Sequence, residues 1–488
     1  MKEGYQKGSF LSGVGWLGAS KGITQVGTWI ATIIIARLLT PADYGLVGMS
    51  GLLVGVITLV GDLGLNASII QKKNVSHREI SALFWQFFLI GSALSCLIYF
   101  LAPVGAQFWG EPELINLIRL SALVFFIDSF GQVPSAFLQK KMRFREYGIV
   151  LSLSAITGSI VTIILAYNGL GPYSLILGTL SVVIVKLVLA YLYEPFKPQF
   201  IFVTQETKMH LKFGTILTTG RYLWWYYSNC DFWLASKFLG KSAYGSYSMA
   251  YQLASLPIEK IAAIINPVAF PAFSKIEDDT ERGKFFFNIL KYMAYISFPI
   301  FVGFYWTADD LIHVLLGEKW VNSIVVFKVF VLVFPLRCID SLNAPLLNSI
   351  RRVDVGTKNM AIGAVLATVA FAVGVQYGIT GLAYSWLVFY PVFFLISLFN
   401  VSRAAHFSMS GYFSNLNRIV LNMVCMSLVI FFFQNLFDHY KVGYFELFTT
   451  QVMRLGGTIT IGVISFVAFI FLLDYDTVKK LIKFIYVK

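Results

Sequence analysis

Long apolar stretches separated by short polar segments run along the whole chain. Each stretch has about 20 residues, enough for an α-helix to cross a hydrocarbon layer about 30 Å thick. The stretches are continuously apolar, which predicts membrane helices rather than the alternating strands of a membrane barrel. We predict about fourteen transmembrane helices, near residues 13–36, 44–66, 81–104, 113–136, 148–168, 172–194, 211–236, 244–271, 285–306, 320–346, 357–377, 381–402, 413–436 and 451–473.

Segments of the first half of the chain recur in the second half. Ala36–Gly45 (ARLLTPADYG) is echoed 200 positions later by Ser236–Gly245 (SKFLGKSAYG). Pro134–Arg143 (PSAFLQKKMR) is echoed 209 positions later by Asn343–Arg352 (NAPLLNSIRR). Because the echoes keep their order along the chain, they indicate an internal duplication.

Each copy contains six predicted helices. Since six is even, both copies enter the membrane in the same orientation, which predicts two lobes related by a pseudo-two-fold axis along the membrane normal. The expected fold is therefore an all-α integral membrane protein of two six-helix lobes with two further helices. The predicted divisions are residues 1–200, 201–410 and 411–488, the last holding two helices and a basic tail.

Lysine and arginine are concentrated in every second loop and at both termini. Such residues are retained on the cytoplasmic side, so both termini are predicted to face the cytoplasm. The net charge of +13 is dispersed over these loops. It therefore indicates membrane topology and contact with anionic headgroups, and no compact basic module for nucleic acid is expected.

The composition points away from soluble and enzymatic classes. Hydrophobic residues make up 57% of the chain and charged residues 13%, against about 25% charged residues in soluble domains. The 4 cysteines and 5 histidines lack the spacing of metal ligands, and no phosphate-binding glycine loop occurs. We expect no catalytic residues, no metal site and no cofactor, and hence a protein that is not an enzyme.

Charged residues inside membrane helices are costly and mark candidate sites. Lys21 and Arg221 are 200 positions apart and occupy corresponding places in the first helix of each lobe. They are predicted to converge on one anionic group of a substrate at the lobe interface. In the alternative interpretation each cation pairs with an acid, such as Asp62 or Asp231, and only stabilises packing.

Further charges fall in the eighth predicted helix. Glu259 and Lys260 are adjacent and point about 100° apart, so at least one is expected to face the protein interior. Three acids are candidates for binding a coupling proton or sodium ion, or for neutralising neighbouring cations: Asp62, Asp231 and Glu259.

The remaining charges within helices form a secondary group. Arg337 and Asp340 are three residues apart on one helix face and are predicted to pair. Arg119 and Lys328 match at the offset of 209 and are expected either to reach the headgroups or to share a role. Three cations near helix ends are expected to extend towards the headgroups: Lys186, Lys291 and Arg454.

Several segments resemble one family of transporters. Ala36–Ser50, Gly61–Trp85, Phe108–Ala122 and Gln132–Glu146 in the first copy are similar to Wzx-like polysaccharide exporters of the MOP flippase superfamily, in the colanic acid and teichuronic acid branch. In the second copy the likeness is diffuse and rests on the helix layout and on Ser242–Leu253.

The resemblance implies a flippase of the bacterial cytoplasmic membrane. Such proteins move an undecaprenyl-pyrophosphate-linked oligosaccharide from the inner to the outer leaflet by alternating access, for lipopolysaccharide or exopolysaccharide synthesis. Cations in their cavity face the pyrophosphate, and Lys21, Arg221 and Lys260 match that description. Relatives that carry peptidoglycan precursors have more cavity arginines, which argues against such a substrate here.

The resemblance also implies the partners. We expect the lipid-linked oligosaccharide, membrane lipids and the polymerase and chain-length machinery as partners, and a proton or sodium gradient as the energy source. A monomer is expected because two lobes in one chain supply a complete transport path.

Two other functions compete with this interpretation. A multidrug or solute exporter of the same fold would have a cavity dominated by acids. An integral-membrane oligosaccharide polymerase would carry a large external loop with catalytic arginines, and the predicted loops are all short.

Overall fold

The computed structural model describes residues 24–61, 76–201, 205–439 and 447–475, together with residues 16, 18, 22, 69 and 479. Residues 60, 61, 205–221, 447 and 448 are described by their backbone alone. All regular elements in these ranges are helical. The α-helices are α1 Thr24–Leu38, α2 Pro41–Gly61, α3 His77–Trp109, α4 Leu114–Lys140, α5 Phe144–Tyr167, α6 Pro172–Tyr193, α7 Gln205–Phe238, α8 Gly240–Ser274, α9 Asp279–Leu315, α10 Ser323–Asp340, α11 Asn343–Ser349, α12 Val353–Gly374, α13 Gly378–Ala404, α14 Met409–His439 and α15 Leu447–Leu473.

Every predicted span overlaps a helix. Ten stretches of the described chain are long and apolar enough to cross a membrane, and one of them, Val353–Ala404, contains both α12 and α13. Helices α1, α7 and α10 are not among the ten. The all-α membrane fold is therefore confirmed, whereas the number of fourteen spans stays a prediction.

Polar groups and glycines mark where these helices begin and end. Ser76 precedes α3, and its hydroxyl accepts the N–H of Glu79 at 3.2 Å. The Asp278 carboxylate accepts the N–H groups of Thr280 and Glu281 at the start of α9. These caps satisfy N–H groups that have no partner within the helix, and so fix the helix boundaries at the ends of the apolar stretches.

The repeat at an offset of 209 is visible in the backbone. Met142 and Arg351 both have positive φ, 55° and 60°, which is uncommon for residues with a side chain. In each copy the next residue, Arg143 or Arg352, donates its N–H to the carbonyl five residues earlier at 2.9 Å. The two copies therefore turn alike at matching positions.

Two compact units make up the chain. The first comprises Met1–Tyr226 and Gly240–Gly245, and the second comprises Tyr227–Leu239 and Ser246–Lys488. The first turn of α8 thus belongs to the first unit. The division into lobes at residues 200 and 410 stays a prediction.

Candidate functional site

Most of the predicted anion site lies outside the described residues. Neither Lys21 nor Asp62 is described, and Arg221 lies in α7 at a position described by its backbone alone. The convergence of Lys21 and Arg221 on one anionic group therefore stays a prediction.

Glu259 and Lys260 lie in α8, and both are exposed. The Glu259 carboxylate accepts the hydroxyl of Ser255, one turn earlier, at 3.1 Å. Their proposed roles in ion coupling and substrate binding also stay predictions.

Asp231 belongs to a buried polar cluster in the second unit. The Tyr247 hydroxyl donates to Asp231 Oδ2 at 2.8 Å, and Trp386 Nε1 donates to the Tyr247 hydroxyl at 2.9 Å. Asp231 is 1% exposed and Tyr247 is fully buried. The cluster joins α7, α8 and α13, so this carboxylate is stabilised by a chain of hydrogen-bond donors.

Aromatic rings surround the guanidinium of Arg337 in the same unit. Arg337 donates a hydrogen bond to the hydroxyl of Tyr251. Its guanidinium carbon lies 5.4 Å from the ring centroid of Tyr251 and 5.5 Å from those of Phe334 and Trp386. Cation–π contacts at this range stabilise a charge that is partly removed from water.

Asp340 does not form the predicted direct pair with Arg337. Its carboxylate accepts Asn343 Nδ2 at 2.7 Å and the Tyr390 hydroxyl at 3.5 Å. Asp340 is the last residue of α10, and Asn343 begins α11. The prediction was wrong because the helix ends there and offers the carboxylate a partner in the next helix.

The matched cations Arg119 and Lys328 make different contacts. The Arg119 guanidinium lies 4.6 Å from the ring centroid of Tyr99. Lys328 forms an ion pair with Asp309 at 2.5 Å. The repeat therefore does not give these two residues the same neighbours.

Lys186 and Lys291, which were expected to extend towards the headgroups, each contact an aspartate. Lys186 pairs with Asp128 at 2.9 Å. Lys291 Nζ lies 2.6 Å from Asp474, which is 1% exposed and follows the last residue of α15. Asp474 also accepts the Tyr295 hydroxyl at 2.6 Å. These contacts attach the end of α15 to α9.

Arg454, the third of these cations, forms a second ion-pair cluster on the same helices. Its Nε and Nη2 each donate to Asp310 of α9 at 2.8 Å, and Asp310 is 2% exposed. Its Nη1 lies 3.4 Å from Asp438 of α14. Arg454 and Asp474 are 20 residues apart, about 30 Å along a helix, so the two clusters hold α15 near both ends.

Within the first unit, the two copies of the repeated motif pack directly on each other. A methyl group built on Gly45 would lie 1.8 Å from the carbonyl oxygen of Lys241, and one built on Gly245 would lie 1.7 Å from that of Pro41. The contact is reciprocal, because residues 41 and 45 match residues 241 and 245 at the offset of 200. We call it the motif contact. Only glycine allows backbones to approach this closely.

An ion pair lies next to the motif contact. Lys241 Nζ is 2.9 Å from Glu111 and 3.8 Å from Glu113, two residues between α3 and α4. The loop orientation predicted from the sequence assigns this end of the helices to the external side. The pair connects the first turn of α8 to the rest of the first unit.

Several of these charged groups were absent from the sequence-based candidates. Asp309 and Asp310 were missed because the ninth span was predicted to end at residue 306, whereas α9 continues to Leu315. Asp474 lies one residue beyond the last predicted span. In each case the signal available in the sequence was an acidic residue close to the end of an apolar stretch.

Comparison with known proteins identifies relatives over most of the chain. A family model described as "Polysaccharide biosynthesis protein" matches residues 34–325. The lipopolysaccharide biosynthesis protein WzxC of Escherichia coli (strain K12) is 27% identical over 393 residues, 80% of each chain. The teichuronic acid biosynthesis protein TuaB of Bacillus subtilis (strain 168) is 27% identical over 440 residues, 87% of each chain.

Solved structures share the fold. The lipid II flippase MurJ, in an inward closed conformation, matches with a TM-score of 0.72 at 15% identity, over 95% of this chain and 99% of that one. An inward-facing multidrug resistance transporter of the MATE family, in the MOP superfamily, matches with a TM-score of 0.61 at 16% identity, over 79% of this chain and 96% of that one. The fold is that of MOP-superfamily transporters, and the chain belongs to the polysaccharide biosynthesis protein family.

Proposed function

We propose that this protein is a flippase that exports undecaprenyl-pyrophosphate-linked oligosaccharide units across the cytoplasmic membrane by alternating access. The exported units supply the synthesis of a surface polysaccharide. The protein acts as a transporter and not as an enzyme, and it works as a monomer whose termini face the cytoplasm. Its further partners are membrane lipids and the polymerase and chain-length machinery.

One observation carries this proposal: relatives named for surface polysaccharide synthesis match this chain over 80% and 87% of its length. The fold supports the proposal as well, because the chain shares its architecture with transporters, one of which is named a lipid II flippase. A lipid-linked oligosaccharide has a headgroup too polar to cross hydrocarbon unaided, so its export needs a protein path.

The motif contact provides a closure for the external end of that path. It brings α2 and α8 together at backbone distance, and Lys241 with Glu111 adds an ion pair beside it. In the proposed cycle the contact forms while the headgroup binds from the cytoplasm and separates when the headgroup leaves. The isoprenoid tail stays in the bilayer throughout.

Lys21, Arg221 and Lys260 are proposed to hold the pyrophosphate, because cations pair with phosphate oxygens through strong charge-assisted hydrogen bonds. Asp62, Asp231 and Glu259 are proposed to bind the coupling proton or sodium ion, or else to balance the charge of these cations. Asp231 lies in the buried cluster with Tyr247, where a change of its charge would alter the bonds to Tyr247 and Trp386.

Reconstitution tests the proposed function. The purified protein is placed in vesicles whose inner leaflet carries the lipid-linked oligosaccharide, and a glycosidase is added outside. The glycosidase can cleave only the headgroups that the protein has moved to the outer leaflet. We expect protein-dependent cleavage of the glycan. Efflux of cationic dyes without glycan export would favour a multidrug exporter, and lengthening of the glycan would identify a polymerase.

Neutralising the predicted anion site should stop export. We expect Lys21→Gln and Arg221→Gln each to lower glycan export at least tenfold, because each removes a cation that faces the pyrophosphate in the proposed site. Lys284→Gln, which removes an exposed cation from the start of α9, should leave export unchanged. Normal surface polysaccharide in both site variants would contradict the assignment.

A further inference from the structure

The ends of the matching helices differ in charge between the two copies. In the first copy, Arg143 and Lys141 follow α4 and both contact Glu194, the residue after α6, at 3.2 Å and 2.5 Å. In the second copy, Arg352 matches Arg143 at the offset of 209. There the helix that returns to the same junction, α13, carries Arg403 just before its last residue, Ala404.

A cavity of about 300 Å³ lies at this junction in the second copy. Arg352, Asp354 and Lys358 line it from the start of α12, and Asn400 and Arg403 line it from the end of α13. Arg352 is bound to Asp354, with Nε–Oδ1 at 3.0 Å and Nη2–Oδ2 at 3.1 Å. The walls therefore carry three cations and one carboxylate, and that carboxylate is engaged by one of the cations.

The other two cations lack an acidic partner in the part of the chain that the structure describes. The side chains of Lys358 and Arg403 form no ion pair or hydrogen bond within the described ranges, and both residues are exposed. Arg403 lies over the ring of Phe399, 4.4 Å from its centroid, one turn earlier in α13. This contact holds the guanidinium against an apolar surface while its N–H donors remain available.

Asn400 gives the cavity a fixed polar wall. Its Nδ2 donates to Asn359 Oδ1 at 2.7 Å, and Asn359 Nδ2 donates to Ser397 Oγ at 3.2 Å. Asn359 is 5% exposed, so this ladder joins α12 to α13 inside the protein. The cavity is thus bounded by two helices that are held together beneath it.

We propose that this cavity binds the phosphate group of an anionic phospholipid headgroup, which takes the place that the Glu194 carboxylate occupies in the first copy. The basic-loop pattern assigns this end of α12 and α13 to the cytoplasmic side. Headgroups of the inner leaflet lie at that level, and basic pockets between membrane helices bind anionic ones. The proposal concerns a lipid site and does not depend on the exported substrate.

Lipid binding to the purified full-length protein tests this proposal. Phosphatidylglycerol and phosphatidylcholine are titrated separately into the protein in neutral detergent, and bound lipid is counted by native mass spectrometry. We expect tighter binding of phosphatidylglycerol. Lys358→Gln with Arg403→Gln should weaken that binding about 25-fold, from about fivefold for each cation at a membrane surface.

Two further variants sharpen the test. Arg403→Glu places a carboxylate at the end of α13, as Glu194 does at the end of α6, and should abolish the preference for phosphatidylglycerol while the protein stays folded. Lys275→Gln with Lys284→Gln removes two exposed cations from another junction of the same predicted side, one after α8 and one at the start of α9, and should leave the preference intact.

Three results would overturn the proposal. One is that the Lys358 and Arg403 variants bind phosphatidylglycerol as tightly as the wild type does. Another is equal affinity of the wild type for phosphatidylcholine. The third is displacement of phosphatidylglycerol by an equal concentration of inorganic phosphate, since the cavity would then be a site for free phosphate. Failure of glycan export in vesicles would leave the lipid result unaffected.

Discussion

Gly45→Ala is expected to lower glycan export at least about fivefold. The added methyl group would lie 1.8 Å from the carbonyl oxygen of Lys241, a backbone atom that has no flexible side chain to move aside. Overpacking of this kind costs about 1–3 kcal/mol, which lowers the ratio of the closed to the open form by about 5-fold to 150-fold. Gly245→Ala should have the same effect, because its methyl group meets the carbonyl of Pro41 at 1.7 Å.

The control lies in the same helix. Gly51 has no atom within 4 Å of an added methyl group, so Gly51→Ala should export as the wild type does. Opening of the external end is measured directly with the substitution Met49→Cys, in a protein whose 4 native cysteines are replaced by serine. Met49 is 1% exposed, so a thiol at this position is shielded while the contact is closed. Gly45→Ala should increase its labelling by an impermeant thiol reagent. Unchanged labelling and export would refute the proposed closure.

Asp310→Asn is expected to produce the largest loss of stability. Asp310 is 2% exposed and accepts two hydrogen bonds at 2.8 Å from Arg454. Removing one partner of a buried ion pair costs about 3 kcal/mol, because the remaining charge has no equivalent partner. We expect α14 and α15 to separate from α9 at a temperature several degrees lower, measured by thermal unfolding in detergent and by protease cleavage between α14 and α15.

Asp438 offers a matched comparison, because it contacts the same arginine from the other side. Its distance to Arg454 is 3.4 Å and its side chain is 48% exposed. Exposed pairs contribute up to about 1 kcal/mol, so Asp438→Asn should shift the unfolding temperature far less. Equal shifts for the two variants would show that burial does not decide the strength of this cluster.

The helices could be predicted from the sequence because length and apolarity are physical requirements for crossing a membrane. The predicted span at residues 172–194 agrees with α6 to within one residue. The end of α9 could not be predicted in this way, because Asp309 and Asp310 interrupt the apolar pattern while the helix continues to Leu315. Their contacts with Lys328 and Arg454 compensate for the charge, and those contacts come from other helices.

The candidate charges could be found from the sequence, but their partners could not. Arg337 and Asp340 have the spacing of a pair, yet each contacts residues far away in the chain or in the next helix. Likewise Lys186 and Arg454 were assigned to the headgroups, and both contact aspartates. Spacing along one helix describes local neighbours only, whereas buried charges select partners across helices.

The motif contact has the form of a subunit interface. In a two-fold symmetric dimer, residue i of one subunit touches residue j of the other and residue j touches residue i. Residues 41 and 45 meet residues 245 and 241 in that manner inside one polypeptide. Two half-length chains could form such a dimer through the same glycine and carbonyl pair, because each chain would contribute its glycine to one contact and its carbonyl to the other. In the present chain, the glycines at 45 and 245 are the positions where this two-fold relation requires close backbone contact.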